Sequence, residues 1–276
     1  MKNKHKKYLL KIVMSISILV YLICVFVLTR WYVQNERNKK FISTLDKEVD
    51  EIVSIENTID DYKTSGSSSN NSVKQYNNKE YPSDLKYINV DLGRYKVKNK
   101  ETVGWIQVNG TNINYPLVQH KDNDYYLTHD FYNRKTNIGW VFVDYRNDFK
   151  ELDNNTIIYG HNLLNKTMFG QLPNLLKNKW QKNKNNHYIK LVTKKEKSIW
   201  KIFSVYEIEP VNDYLQTIFD SENNYYLFLK MLKSRSSFDF GANISKTDRI
   251  VTLSTCNNAG DRRVVVHAKL VSSEKR

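Results

Sequence analysis

Three residues have the types and the spacing to carry acyl-transfer chemistry. Cys256 follows a β-rich run, Ile250-Val251-Thr252-Leu253-Ser254-Thr255, and precedes a loop-like run, Asn257-Asn258-Ala259-Gly260-Asp261. It therefore sits at the end of a strand, from which a side chain can face a cleft. The chain has two cysteines, and the other, Cys24, lies in an apolar N-terminal segment. Cys256 thus has no disulfide partner outside that segment, and is either a reactive thiol or a small buried hydrophobe. A nucleophilic cysteine needs thiolate character and a proton acceptor. Of the six histidines, His161 ends an apolar strand, Thr156-Ile157-Ile158-Tyr159-Gly160, and the glycine before it permits a turn that aims the imidazole. His120 and His129 lie in polar stretches and read as surface residues; His187 opens a strand; His267, inside the last strand, reads as a side chain of the barrel wall. The oxyanion of an acyl transfer needs positive charge or N–H donors. Arg263 opens the strand Val264-Val265-Val266, with only residues 257–262 between it and Cys256. An antiparallel hairpin would bring both to one end of a sheet, where a guanidinium can hydrogen-bond the developing charge. Arg262 competes for that role, because alternation sends 262 and 263 to opposite faces. A zinc site from Cys256, His161 and His267 is the weaker use of the same residues, since their spacing matches no familiar ligand pattern.

The elements that must position these residues read mostly as strands. Gly104 to Val108 precedes Asn109-Gly110, a strong hairpin signal, and Ile113 to Val118 is the returning strand. Further strands are expected at Gly139–Val143, Thr156–Tyr159, His187–Val192, Trp200–Glu207, Ile250–Thr255 and Val264–Leu270. Helices are expected at 164–178, kinked or split by Pro173, and at 221–234. Many short strands with turn signals and few helices predict a mainly β fold, a closed or nearly closed barrel with peripheral helices.

Ahead of this domain, Ile12 to Thr29 is an uncharged run of 18 residues, long enough for a membrane-spanning helix. Lys2, Lys4, Lys6 and Lys7 precede it, which predicts a cytoplasmic N-terminus. Arg30, Trp31 and Tyr32 follow it in place of a small-residue cleavage site, so an uncleaved anchor is expected rather than a signal peptide. Residues 36–62 carry apolar positions at alternating spacings of three and four and read as a helix; Ser65 to Ser72 is a linker by composition. The expected layout is a cytoplasmic tail (1–7), a transmembrane anchor (8–29), a helix and Ser/Asn-rich linker (30–85) and a catalytic domain (86–276). The formal net charge is +14, from 43 Lys and Arg against 29 Asp and Glu. Five of those positive charges lie in 1–29 and residues 30–63 net −2, which leaves +11 on 64–276. Such charge suits anionic wall polymers or lipid head groups; the anchor argues against nucleic acid as partner. With 40% hydrophobic residues the chain can bury a core, and two cysteines exclude a disulfide scaffold and a four-cysteine zinc site.

Thr252-Leu253-Ser254-Thr255-Cys256, followed closely by Arg263-Val264-Val265-Val266-His267-Ala268-Lys269, resembles the sortases, specifically class B. Asn155-Thr156-Ile157-Ile158-Tyr159-Gly160-His161-Asn162 is similar to the sortase histidine segment. Val103-Gly104-Trp105-Ile106 and Asp144-Tyr145-Arg146-Asn147 resemble class B segments, and the helix at 221–234 fits the extra helix of that class. The resemblance covers roughly 86–276. It implies an eight-stranded barrel carrying a membrane-anchored cysteine transpeptidase of the Gram-positive cell wall. Cys256 would attack the Thr–Gly or Thr–Asn bond in the C-terminal sorting signal of a surface protein and form a thioacyl enzyme. An amine of a peptidoglycan precursor or cross-bridge would release it as a new amide. His161 would be general acid and then base, Arg263 would stabilise the oxyanion, and Ser254 and Thr255 would line the substrate groove. No metal or other cofactor is expected. The chain departs from the family in a short Cys-to-Arg loop, in Asn258 where some members carry an acid, and in His267, a position that is often apolar and shares a strand face with Arg263. Two other functions fit the same residues: a Cys-His peptidase that only hydrolyses, and a non-catalytic basic protein that binds the wall.

Overall fold

The structure is a computed structural model that describes residues 2–63, 81–82, 84–150, 152–256 and 262–276. The expected Ser/Asn-rich linker at 65–72 lies outside the described residues. The chain divides into two compact units, Met1–Glu51 and Ile52–Arg276.

The first unit is helical. The helix α1 (Lys2–Lys63) contains an 18-residue window of mean hydropathy 2.8, none of it buried, and is the one helix among the described residues long and apolar enough to cross a membrane. The helix expected at 36–62 is its continuation.

The second unit is a closed eight-stranded barrel. After a short helix α2 (Leu92–Lys98) come β1 (Thr102–Val108), β2 (Asn114–Val118), β3 (Phe142–Val143) and β4 (Asn155–His161). Then follow a one-turn helix α3 (Asn178–Gln181), β5 (Tyr188–Thr193), β6 (Glu196–Ile208), the helix α4 (Glu222–Ser234), β7 (Ile250–Cys256) and β8 (Arg263–Lys275). Around the barrel the order is β1-β2-β3-β4-β7-β8-β6-β5, with β5 returning to β1. Two neighbouring pairs, β2 with β3 and β4 with β7, are parallel; the others are antiparallel. Closure leaves no sheet edge to be protected. The core on the two faces of the sheet includes Trp105, Ile106, Tyr115, Ile157, Trp200, Leu253 and Val266, all sealed from solvent. Each fully buried aliphatic side chain of this kind stabilises the fold by roughly 1.5–3 kcal/mol.

Local chemistry explains most element boundaries. The β1–β2 hairpin turns at Asn109-Gly110, where Gly110 has φ +68°, a conformation that glycine adopts without strain. In α4, Tyr225, Phe228, Leu229 and Leu232 fall at i, i+3, i+4 and i+7 and pack on Phe203, Ile250 and Val265 of the barrel. Ser221 caps that helix, its Oγ accepting from Asn224 N at 3.1 Å. Asp91 caps α2 in the same way at 2.9 Å, a helix the sequence analysis did not anticipate.

Two expectations are corrected. Residues 164–178 do not form one helix. Lys166 and Met168 have positive φ (64° and 52°), and the chain folds back so that Phe169 N donates to His161 O at 3.0 Å. A 3-10 turn (Leu172–Leu176), with Pro173 in its first turn, and α3 follow. The apolar residues that suggested a helix, Met168, Leu172 and Leu175, are buried, but by turns that roof the barrel. The strand expected at Gly139–Val143 shrinks to Phe142–Val143, because Gly139 (φ +62°) breaks the extended backbone.

Candidate active site

Three strand ends meet at one mouth of the barrel. The parallel ladder of β4 on β7 runs in unbroken register from Asn155↔Ile250 to His161↔Cys256, so both strands end on the residues of interest. Antiparallel β8 pairs with β7 from Lys269↔Ile250 up to Val265↔Ser254 and begins at Arg263, which itself pairs with Ile208 of β6. Two further steps of that register, through Thr255 and Val264, would set Arg263 opposite Cys256. The antiparallel pairing of β7 with β8 expected from the sequence is present, and the parallel pairing of β4 brings His161 to the same end of the sheet.

His161 is 4% exposed, and its Nε2 lies 2.8 Å from the carbonyl oxygen of Leu127. A carbonyl only accepts, so Nε2 carries the hydrogen and, in the neutral ring, Nδ1 is the basic nitrogen. Gly139 makes room for this ring: a Cβ there would stand 2.8 Å from His161 Cδ2 and 2.5 Å from the Tyr126 carbonyl oxygen.

A cavity of about 370 Å³ opens at the same mouth, lined among others by Leu127, Tyr159, Leu215, Ser254, Thr255 and Arg263. Arg263 is half-buried, and its Nη1 lies 3.3 Å from the Tyr214 hydroxyl and 3.5 Å from the Val211 carbonyl. Arg262 is exposed and its Nε reaches Glu209 at 4.0 Å, so of the two it is Arg263 that lines the cavity. Ser254 and Thr255 are nearly sealed, and both hydroxyls have protein partners. Ser254 Oγ is 2.9 Å from the Tyr214 hydroxyl, and Thr255 Oγ1 accepts from Val264 N at 2.9 Å. A larger cleft of about 1000 Å³ lies beside α2 and shares Arg146 with the first, but neither His161 nor Arg263 lines it.

Several contributors were missed from sequence. The Asp144 carboxylate is fully buried and accepts from Arg146 Nε (2.9 Å) and Nη2 (2.7 Å) and from the Tyr159 hydroxyl (2.9 Å). Burial alone would raise its pKa; the hydrogen bonds from Arg146 and Tyr159 outweigh that and hold it below the ordinary carboxylate range. Arg146 Nη2 in turn donates to the Leu215 carbonyl at 3.1 Å, tying down a segment that lines the cavity.

The other histidines are placed as follows. His120 and His129 are partly buried rather than surface residues, each stacked on Tyr125 with ring centroids 4.3 and 4.0 Å away. His187 is buried, with Nε2 2.7 Å from the Gln181 carbonyl. His267 is sealed in the wall with both ring nitrogens engaged, to the Tyr206 hydroxyl and to Thr252 Oγ1, each at 2.9 Å. That removes it from the zinc ligand set considered from sequence.

A sortase domain profile matches residues 106–271, which takes in the whole mouth just described. The chain belongs to the sortase family. It is 38% identical over 177 residues to sortase B of Staphylococcus aureus (63% of this chain, 71% of that protein), and 39% identical over 178 residues to sortase B of Listeria monocytogenes, with the same coverage. Among solved structures it resembles a Staphylococcus aureus sortase B–substrate complex (TM-score 0.62, 36% identity, 66% of this chain and 84% of that one). It also resembles a mutant form of Clostridium perfringens sortase B (TM-score 0.60, 37% identity, 64% and 85%). Sortases are cysteine transpeptidases of the cell wall, and these relatives place the chain in class B. The eight-stranded sortase barrel expected from the sequence is the fold observed.

Proposed function

We propose that this sortase domain cleaves the C-terminal sorting signal of surface proteins after a threonine, at Thr–Gly or Thr–Asn, and transfers the chain to a peptidoglycan amine. In this reading the Cys256 thiolate attacks the threonine carbonyl carbon. The guanidinium of Arg263 takes the charge that develops on the oxygen. As the C–N bond breaks, His161 gives a proton to the leaving amine and a thioester remains. An amine of a wall precursor or cross-bridge then attacks the thioester, His161 removes its proton, and the new amide leaves Cys256 as thiolate. Ser254 and Thr255 form the floor beneath the peptide. The apolar stretch of α1 anchors the chain in the membrane with residues 1–7 in the cytoplasm and 86–276 at the wall.

The observation that carries this reading is the register His161↔Cys256 at the shared end of β4 and β7, with Arg263 opening the adjacent strand. The test is mass spectrometry of the full chain in detergent with a set of sorting-type peptides, with and without a wall-type amine. The expected result is an acyl adduct on Cys256, absent in Cys256→Ala, and an amide product once amine is added. Hydrolysis alone in excess amine would make the protein a peptidase, and wall association unaffected by Cys256→Ala would make it a binding protein.

A further inference from the structure

His267 is the departure from the family that the proposed chemistry leaves unused, and it lies in a buried chain of polar groups whose hydrogens can be assigned. Asn155 Nδ2 faces two backbone carbonyls, those of Gln216 (2.8 Å) and Tyr214 (3.4 Å). Carbonyls only accept, so this end of the amide is the NH₂ and the other is Oδ1. Oδ1 also only accepts, so at 2.6 Å Thr252 Oγ1 must give it its single hydrogen. With its hydrogen committed, Thr252 can only accept from His267, so Nδ1 of His267 carries a hydrogen (2.9 Å). Burial pushes the His267 pKa down to about 3, with the charge of Arg235 adding to the effect, so the ring is neutral and Nε2 is an acceptor. The Tyr206 hydroxyl therefore donates to it at 2.9 Å. The direction is single throughout: Tyr206 to His267 to Thr252 to Asn155 to the carbonyls of Tyr214 and Gln216. Hydrogen bonds aligned in one direction polarise one another, and in a dry wall each is costly to leave unmade.

The chain ends on the β6–α4 connection, the segment that holds Arg263. Arg263 Nη1 donates to the Tyr214 hydroxyl, which also shares a hydrogen bond with Ser254 Oγ at 2.9 Å. The same connection is tied from its other side, because Asp213 pairs with Arg235 (Oδ1 to Nη1, 2.9 Å), and Arg235 lies over the Tyr206 ring. Tyr214 is thus held at its backbone by Asn155, at its neighbour by Arg235, and at its hydroxyl by the cavity wall.

We infer that His267 is a positioning residue: by fixing the direction of this hydrogen-bond chain it holds Tyr214, and through Tyr214 the Arg263 guanidinium, in the geometry the transfer needs. This rests on the proposed role of Arg263. A ring with Nε2 protonated would offer Nδ1 as a competing acceptor and draw the Thr252 hydrogen away from Asn155, whereas an apolar side chain would leave Thr252 Oγ1 without its donor; either weakens the hold on the amide that binds the Tyr214 carbonyl. Asparagine at 267 keeps a donor where Nδ1 stands and phenylalanine does not, so the two variants separate hydrogen-bond direction from ring packing.

The test has three arms on the full chain. Nitrogen-15 NMR of the wild type should show His267 as the neutral Nδ1–H tautomer, unchanged between pH 5 and 8; an Nε2–H ring there overturns the inference whether or not any variant folds. His267→Phe should lower kcat about tenfold with KM unchanged, and His267→Asn should recover most of that loss. Equal activity in wild type, Phe and Asn variants, or an equal loss in both, overturns it. In an Arg263→Lys background, His267→Phe should cost little more, since the group it positions is gone; a full additional tenfold loss would show that it acts elsewhere. Should Arg263→Lys itself leave kcat intact, the failure belongs to the proposed role of Arg263, whereas the tautomer result stands alone.

Discussion

Two histidines of this barrel are almost equally hidden, at 4% and 0% exposure, yet they sit in opposite surroundings. His161 ends β4 at the mouth, with one ring nitrogen fixed by the Leu127 carbonyl and a cavity beside it that Leu127 lines. His267 lies mid-strand in β8, with each nitrogen matched to a single hydroxyl. Low exposure by itself does not separate a working imidazole from a structural one. What separates them is position: His161 ends its strand at the mouth where Cys256 and Arg263 also lie, whereas His267 is enclosed mid-strand.

The largest effect should come from the mouth. His161→Ala is expected to lower transpeptidation by about 10²–10⁴-fold, the range of a lost general acid–base, well beyond what the lost hydrogen bond to the Leu127 carbonyl costs in stability. A loss no greater than that of His267→Phe would erase the contrast. Arg263→Ala should follow, at about 10²–10³-fold in kcat, the usual cost of one oxyanion donor.

The wall histidine should instead appear in stability against pH. Its folded pKa of about 3 lies below the unfolded value of about 6.5, so the unfolded chain takes up the proton first as pH falls. The contribution is complete above pH 6.5 and is lost as pH falls toward 3, on the order of 5 kcal/mol in all. His187, also lowered by burial, acts in the same direction. Asp144 and Asp213, held low, are lost only below the ordinary carboxylate range. Urea unfolding from pH 7 to 4.5 should therefore show a slope that flattens but does not vanish in His267→Phe; an unchanged slope would mean the imidazole is not buried as described.

Two glycines sharpen the contrast further. Gly139 and Gly241 have nearly equal positive φ, but only Gly139 faces the His161 ring, whereas Gly241 faces open space. Gly241→Ala should lose about 1 kcal/mol to backbone strain, whereas Gly139→Ala should lose more, because its Cβ would also clash with the Tyr126 carbonyl, and it alone should depress kcat. Smallest of all, Ser221→Ala removes the cap of α4 and should cost about 1 kcal/mol in thermal melts without touching activity.

What could be read in advance follows from range. Cys256, His161 and Arg263 each stand beside a strand end marked by its own neighbours, and the Asn109-Gly110 turn and the apolar face of α4 are equally local. Tyr214 and Asn155 were invisible because their partners are remote: Asn155 meets Gln216 61 positions away and Thr252 97 away. Asn155 opens the segment that resembles the sortase histidine segment, but nothing in that segment shows that its amide reaches across the fold, and nothing near Tyr214 distinguishes it from an ordinary polar position. The segment 164–178 misled because turns and a helix can bury the same spacing of leucines, and only the backbone bond from Phe169 to His161 decides between them.

The parallel pairing of β4 with β7 also ties the site to long-range closure of the chain. Parallel neighbours cannot be joined by a tight turn, so β5, β6 and α4 form one long crossover between them. Such a contact is entropically slow to close, and here it is the one that seats residue 161 beside residue 256. Residues 161 and 256 come together only through this long-range pairing, so acyl-transfer competence depends on the crossover being closed.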